Sequence, residues 1–298
     1  MKETKMKIKN KLKAGIAATS IMLLSNNALS LDIDPGDYTP LPSGVNLGVL
    51  YLQNSERTKL YSNKEVISTN ANLKANVSIL RGVHYTEFGG KMANIQILLP
   101  FASLKTRKDL SALGNSKGMG DPILASALWF NKNPTDANLY GITQYLFVPI
   151  GKYSPDRALN IGENRWKYTL QAGYIGKISE KILFDLTGDV TIFGKNSKFS
   201  PDRLNLKQDN LYQAQSYLRY KPSASSEIHI GYSKLWSGET TVNNIKQNDQ
   251  SNQQKIMIGG SKFISDRTQI LANISRDTKI DNGLKEDHRF NLRLLHVF

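Results

Sequence analysis

From residue 44 onward the chain alternates apolar and polar side chains with a period of two. Residues 164–176 set Trp166, Tyr168, Leu170, Ala172 and Tyr174 against Arg165, Lys167, Thr169 and Gln171. Residues 180–193 set Ile182, Phe184, Leu186, Val190 and Ile192 against Asp185, Thr187, Asp189 and Thr191. The same holds for Tyr212, Ala214, Leu218 and Tyr220 against Gln213, Gln215 and Arg219, and for Ala93, Ile95, Ile97 and Leu99 against Asn94 and Gln96. Successive side chains of a strand point to opposite faces, so the pattern predicts strands with one apolar face. No helix-period segment of useful length follows residue 30.

Twelve strands are predicted, over about 44–53, 72–87, 91–101, 121–131, 138–149, 164–176, 180–193, 210–221, 224–236, 253–264, 267–277 and 287–298. Long gaps (54–71, 102–120, 150–163, 194–209, 237–252 and 278–286) alternate with short ones (88–90, 132–137, 177–179, 222–223 and 265–266). Short turns at one end and long loops at the other are the layout of an all-β, up-and-down antiparallel transmembrane β-barrel of the outer membrane. A Greek-key sandwich has no reason to keep that rule. The even count places both ends of the barrel domain, 44–298, in the periplasm. Residues 31–43 carry Pro35, Pro40 and Pro42 and are therefore extended, as a plug or as a periplasmic tail.

Strand direction sorts the outward aromatics into two bands. Trp166, Tyr168, Tyr212, Trp236 and Phe290 fall near external ends, and Tyr85, Tyr140, Tyr174, Phe184, Tyr220 and Phe298 near periplasmic ends. Such rings collect at both membrane–water interfaces. The final alternation Phe290, Leu292, Leu294, His296, Phe298 has the form of a C-terminal signature read by outer-membrane assembly machinery.

Composition narrows the classes. The chain has 298 residues, 40% hydrophobic and 21% charged, with no cysteine and a mean hydropathy of −0.39. Disordered chains, disulfide scaffolds and zinc ribbons are excluded, as are helical membrane spans beyond the N-terminus. Residues 1–30 read as a secretory signal: six lysines by Lys13, an apolar run Ala14–Leu24, and small residues before a cleavage expected between Ser30 and Leu31. Removing them takes the formal charge from +14 to +9, from 33 cations and 24 acids. An exported chain does not meet the chromosome, so no nucleic-acid partner is expected. The expected partners are membrane lipids, lipopolysaccharide phosphates and small solutes.

Leu31-Asp32-Ile33-Asp34-Pro35-Gly36-Asp37-Tyr38 through Asn46, then Gly118-Met119-Gly120-Asp121-Pro122, then Pro149-Ile150-Gly151-Lys152-Tyr153 with Asn160-Ile161-Gly162-Glu163-Asn164-Arg165-Trp166, stand in order along the chain. In these blocks it resembles the outer-membrane transporter family of the phenol-degradation meta-pathway. The resemblance implies a channel for small compounds, including aromatic or hydrophobic ones. It supplies no binding-site residues. Read physically, Gly118 and Gly120 free the backbone and Asp121-Pro122 stiffens the start of a strand. A phosphate cradle at Gly118-Met119-Gly120 fails for want of a following helix and a Lys-Ser pair.

Candidate chemistry is sparse. His84, His229, His288 and His296 lack metal-ligand spacing, and no Gly-x-Ser-x-Gly elbow occurs, so no metal, cofactor or enzymatic activity is expected. The rival readings are a barrel lipid hydrolase, in which His288 would approach Ser275, and a surface-interaction barrel. The polar face predicts the lumen: Arg165, Lys167, Asp185, Asp189, Gln213, Gln215, Arg219, Arg289 and Arg293 as channel lining, with Lys74, Asn76, Asn94, Gln96, Gln171 and Asn291 beside them. Two roles stay open for its charges: structural pairs such as Lys167 with Asp189, or a cationic constriction favouring anions.

Overall fold

The computed structural model describes residues 32–131, 133 and 135–298; the expected export signal and its cleavage site lie outside them. Twelve antiparallel strands pair in chain order: β1 (Asn46–Ser62), β2 (Ala71–Phe88), β3 (Lys91–Lys108), β4 (Ile123–Trp129), β5 (Asn138–Phe147), β6 (Lys167–Lys177), β7 (Ile182–Phe193), β8 (Leu211–Ser223), β9 (Ser226–Ser237), β10 (Ser251–Ser265), β11 (Thr268–Ile280) and β12 (Gly283–Val297). β12 pairs back onto β1, from Leu47 opposite Val297 to Tyr61 opposite Gly283, and the closed sheet has no free edge. The twelve predicted strands map one to one onto these.

Differences lie at the external ends. β1 runs on to Ser62 and β3 to Lys108, where the sequence predicts loops. Asn54-Ser55-Glu56-Arg57-Thr58-Lys59 is polar enough to read as a loop, but ladders to β12 and β2 hold it on both sides. The predicted loop 278–286 contracts to the turn 281–282, because Leu284 and Glu286 are drawn inside the barrel. Short strands hang from the rim: Glu65–Ser68 on β1, Ser116–Met119 on β3, and a four-stranded external sheet of Asn196–Phe199, Leu204–Gln208, Thr240–Val242 and Ile245–Lys246.

The outward face is a continuous apolar belt that includes Leu52, Leu80, Ile97, Leu124, Leu170, Leu186, Leu218, Ile230, Ile258 and Ile274, all exposed on the chain. So much contiguous apolar surface is stable only in hydrocarbon. Trp166, Tyr212 and Trp236 cap it externally; Tyr140, Tyr174, Tyr220 and Phe298 border it on the periplasmic side. One aromatic departs from the expected bands: Tyr85 faces inward and stacks on Trp129 with ring centroids 6.0 Å apart. Phe290, opposite Asn54 and Ile274, is the last outward apolar residue of β12 before the exposed His288.

The interior has two unlike walls. β6–β12 turn Gln171, Asp185, Gln213, Gln215, Arg219, Lys255, Asn291 and Arg293 inward, whereas β1–β5 turn mainly Val49, Tyr51, Leu73, Ala75, Val77, Val83, Ala125 and Phe147 inward, with Arg57, Arg81, Asn94 and Gln96 set among them. Lys74 and Asn76, expected in the lumen, therefore face out: Lys74 lies opposite Glu56, and Asn54 donates to Asn76 across the outer surface at 2.6 Å. The rule of apolar-out and polar-in reverses there because β1–β3 rise above the belt, where the outside is water and the inside is packed.

Residues 32–41 lie within the lumen, while Pro42 and Ser43 are exposed at its end. The segment runs in from the periplasmic end, where the Gly44 amide donates to Tyr85 O at 2.8 Å. Tyr38 is buried against β6, where a Cβ on Gly173 would come within 2.2 Å of its ring, so only glycine leaves it room.

Candidate functional site

The external mouth is built by contacts among three separated stretches. The Asp121 carboxylate, just before β4, accepts from the Gly151 amide at 2.9 Å and from the Glu163 amide at 2.9 Å. The Lys152 amide donates to Met119 O and the Gly162 amide to Lys152 O. A Cβ on Gly151 would lie 2.5 Å from the Gly120 carbonyl carbon, and one on Gly162 2.8 Å from that of Gly151. These glycines let three backbones touch, and the knot folds loop 148–166 into the mouth. Leu159 and Ile161 are thereby buried against Leu73, Ala75, Leu104 and Leu284.

Glu163 closes the knot on its polar side. Its carboxylate takes Arg165 at 2.7 Å and also Lys167. Burial raises its pKa, but the two cations outweigh that and hold it down at about 2. A depressed carboxylate stabilises the folded loop above its ordinary pKa, and that stabilisation is lost as pH falls through about 2. Burial acts the other way on Asp121, pushing it up. Asp121→Ala should orphan two amides, at about 1–3 kcal/mol each, and free the loop. Trypsin should then cut at Lys152 or Arg157 far faster than in the parent chain; equal cleavage would contradict the knot.

Deeper, the acids of the N-terminal segment meet the cations of the polar wall. Asp32 takes Lys255 at 2.7 Å, Arg289 at 3.4 Å, and amide donors from Gln213 and Gln215. Arg293 reaches Asp34 at 3.2 Å and Asp37 at 3.1 Å, while Arg81 reaches Asp37 at 3.1 Å and the Tyr51 hydroxyl at 2.9 Å. The Gly36 amide donates to Asp185, which with Glu227 holds Arg219. Glu286, fully buried, gathers Arg57 at 2.5 Å, Arg289 at 2.9 Å and Lys255 at 3.6 Å.

All nine lining candidates point inward. Arg165, Lys167, Asp185, Gln213, Gln215, Arg219 and Arg293 are buried, and Asp189 and Arg289 partly so. Lys167 pairs with Glu163 and not with Asp189, which instead accepts from Gln171 at 3.1 Å; the register sets Gln171 opposite Asp189 and Lys167 opposite Phe193. Sequence reasoning missed Arg57 and Glu286, assigned to loops, and passed over Arg81, Lys255 and Glu227. Extending the two-residue period of β1 past Gln53 would have reached Arg57. Asp32, Asp34 and Asp37 carried a signal too, as an acidic stretch beside a cationic lumen. The suggested Ser275–His288 pair does not form, since Ser275 is buried and His288 exposed.

Two cavities open inside the barrel, one at its external mouth and one against the segment. The external one, about 240 Å³, is lined by Leu73, Val77, Leu104, Leu159, Ile161 and Leu284 on one side and by Arg57, Glu163, Arg165 and Arg289 on the other. The inner one, about 230 Å³, lies between the segment and Leu47, Val49, Tyr51, Val83 and Tyr85. Leu98, Ile123, Tyr145 and Phe147, with Ile79 against them, carry the apolar wall between the two.

Residues 56–294 match the family model described as "Putative MetA-pathway of phenol degradation". The COG4313 outer membrane channel from Pseudomonas putida F1 is 36% identical, with a TM-score of 0.87 over 90% of this chain and 100% of that one. The transport unit of the autotransporter AIDA-I from Escherichia coli (10% identity, TM-score 0.52, 94% of this chain and 96% of that one) shares the fold alone. So does the beta domain of the Bordetella autotransporter BrkA (8% identity, TM-score 0.51, 86% and 100%). No curated protein sequence matches.

Proposed function

This chain belongs to the phenol-degradation MetA-pathway family and is an outer-membrane β-barrel channel for small compounds; on that premise we propose that its solutes are apolar or aromatic and travel along the wall of β1–β5. The observation that carries this is the two-sided lumen. A largely apolar strip, crossed by the Arg81–Gln96 pair, runs from the Leu159–Ile161 cavity past Ile79 and Tyr145 to the Val49–Val83 cavity, facing a charged wall whose cations are ion-paired. A ring slides along the first wall while its hydroxyl or carboxylate meets Arg57, Arg165 or Arg289 at the mouth. The segment 31–43 is the plug, the nine lining candidates line the path, and cleavage after Ser30 frees the plug for the lumen. Phe298 presents the chain to the assembly machinery, and lipopolysaccharide covers the outer face. The proposal needs neither a cofactor nor a catalytic group.

In liposomes, phenols and benzoates should enter faster than neutral sugars of similar mass, and equal rates would reject the apolar path. Replacing Arg165, Arg289 and Arg293 together by glutamine leaves Asp32, Asp34 and Glu163 underpaired. The reversal potential should therefore move toward cations, and an unchanged potential would reject a lumen governed by these charges.

A further inference from the structure

Outside the barrel, at the external end of β2 and β3, the ladder makes an arrangement that the chain does not neutralise. Lys74 and Lys105 are direct cross-strand neighbours on the outward face. Like charges so placed, with Cβ atoms about 5 Å apart, repel. The strand Ser116–Met119 adds Lys117, set opposite Ser103 and hence diagonal to Lys105. Lys152 lies against the same strand and donates to Lys117 O at 2.9 Å. Glu56 meets Lys74 at 3.5 Å, while the ammonium groups of Lys105 and Lys117 have no ion-pair partner among the described residues. Below Lys105 on the same face come Ser103, Phe101 and Leu99, and beside them Leu80: the upper edge of the apolar belt.

A cationic cluster directly above an apolar wall fits an amphiphile whose anionic head stands over its acyl chains. We propose that Lys74, Lys105 and Lys117 form a binding site for a phosphorylated glycolipid of the external leaflet, of the lipid A type. One phosphate lies between Lys74 and Lys105, and the acyl chains run down Phe101, Leu99 and Leu80. The bound anion then supplies the countercharge that the ladder lacks, which is reason enough for three lysines to converge at a membrane edge. The assignment rests on the membrane reading, which puts these strand ends at the outer leaflet.

The test uses the full chain in lipid nanodiscs, titrated with bisphosphorylated lipid A, its dephosphorylated form and phosphatidylglycerol, and scored by native mass spectrometry. K74Q/K105Q/K117Q should bind lipid A about a hundredfold more weakly than the parent chain. The control K181Q/K221Q/K262Q, which removes three lysines from the periplasmic rim, should bind as the parent does. Dephosphorylated lipid A and phosphatidylglycerol should bind the parent weakly. Retention of lipid A by the triple variant, equal loss in the control, or equal binding of phosphatidylglycerol would each overturn the site. Single-channel current separates the two levels: a parent chain that neither inserts nor conducts refutes the membrane reading, whereas normal current with unchanged lipid binding refutes the site alone.

Discussion

A chain lacking residues 31–43 is expected to conduct a larger and noisier current, with a preference for anions of about tenfold. Deletion takes away bulk: Ile33 and Tyr38 are buried in the lumen, and the Trp129 ring nitrogen loses its acceptor, Tyr38 O, at 2.9 Å. It also takes away three carboxylates. Arg81 and Arg293 lose their acidic partners, and Lys255 and Arg289 keep only Glu286. Replacing Asp32, Asp34 and Asp37 by asparagine, with the segment kept, separates the two effects: selectivity should shift toward anions with little gain in current. An unaltered single-channel current in the deletion would mean that the segment does not obstruct the path.

Glu286→Gln should cost about 3–5 kcal/mol of unfolding free energy, as expected when one member of a buried ionic cluster is neutralised. The carboxylate is wholly buried and is the shared partner of Arg57, Arg289 and Lys255. Its neutral replacement leaves Arg57 without an ion-pair partner among the described residues, and Lys255 and Arg289 with Asp32 and the buried Asp277 beside them. Adding Arg57→Met removes the unpaired cation and should recover part of the loss, which a simple packing defect would not allow. Denaturant unfolding followed by tryptophan fluorescence measures both variants; a single-variant cost within 1 kcal/mol, on the surface-pair scale, would show that water, not Glu286, balances those cations.

Much of the barrel was legible in the sequence because its two signals are local. Period-two alternation needs only neighbours such as Leu170 and Gln171, and turn residues mark where strands reverse. Which face goes inside is not local. On β6–β8 the polar set faces inward, whereas Lys74 and Asn76 face out because their end of β2 stands above the hydrocarbon. Charge partners were harder still: Lys167 finds Glu163, four residues back, through a loop folded inward, and Glu286 finds Arg57 only because the barrel closes. The acidic segment and the cationic wall were both visible, yet their contact depends on which end of the barrel the chain enters.

The strands are not zipped to equal depth. β2 and β3 pair from Ala71–Lys108 to Phe88–Lys91, whereas β4 pairs with β3 only from Leu98–Ile123 to Ala93–Leu128. Above that short stretch β3 is bridged to Ser116–Met119, a piece of the mouth itself. The cylinder is therefore most compliant where its inner surface is greasiest. Amides of β4 should exchange with deuterium before those of β2, and the mouth can widen on this flank while the long hairpins opposite keep the ring shut.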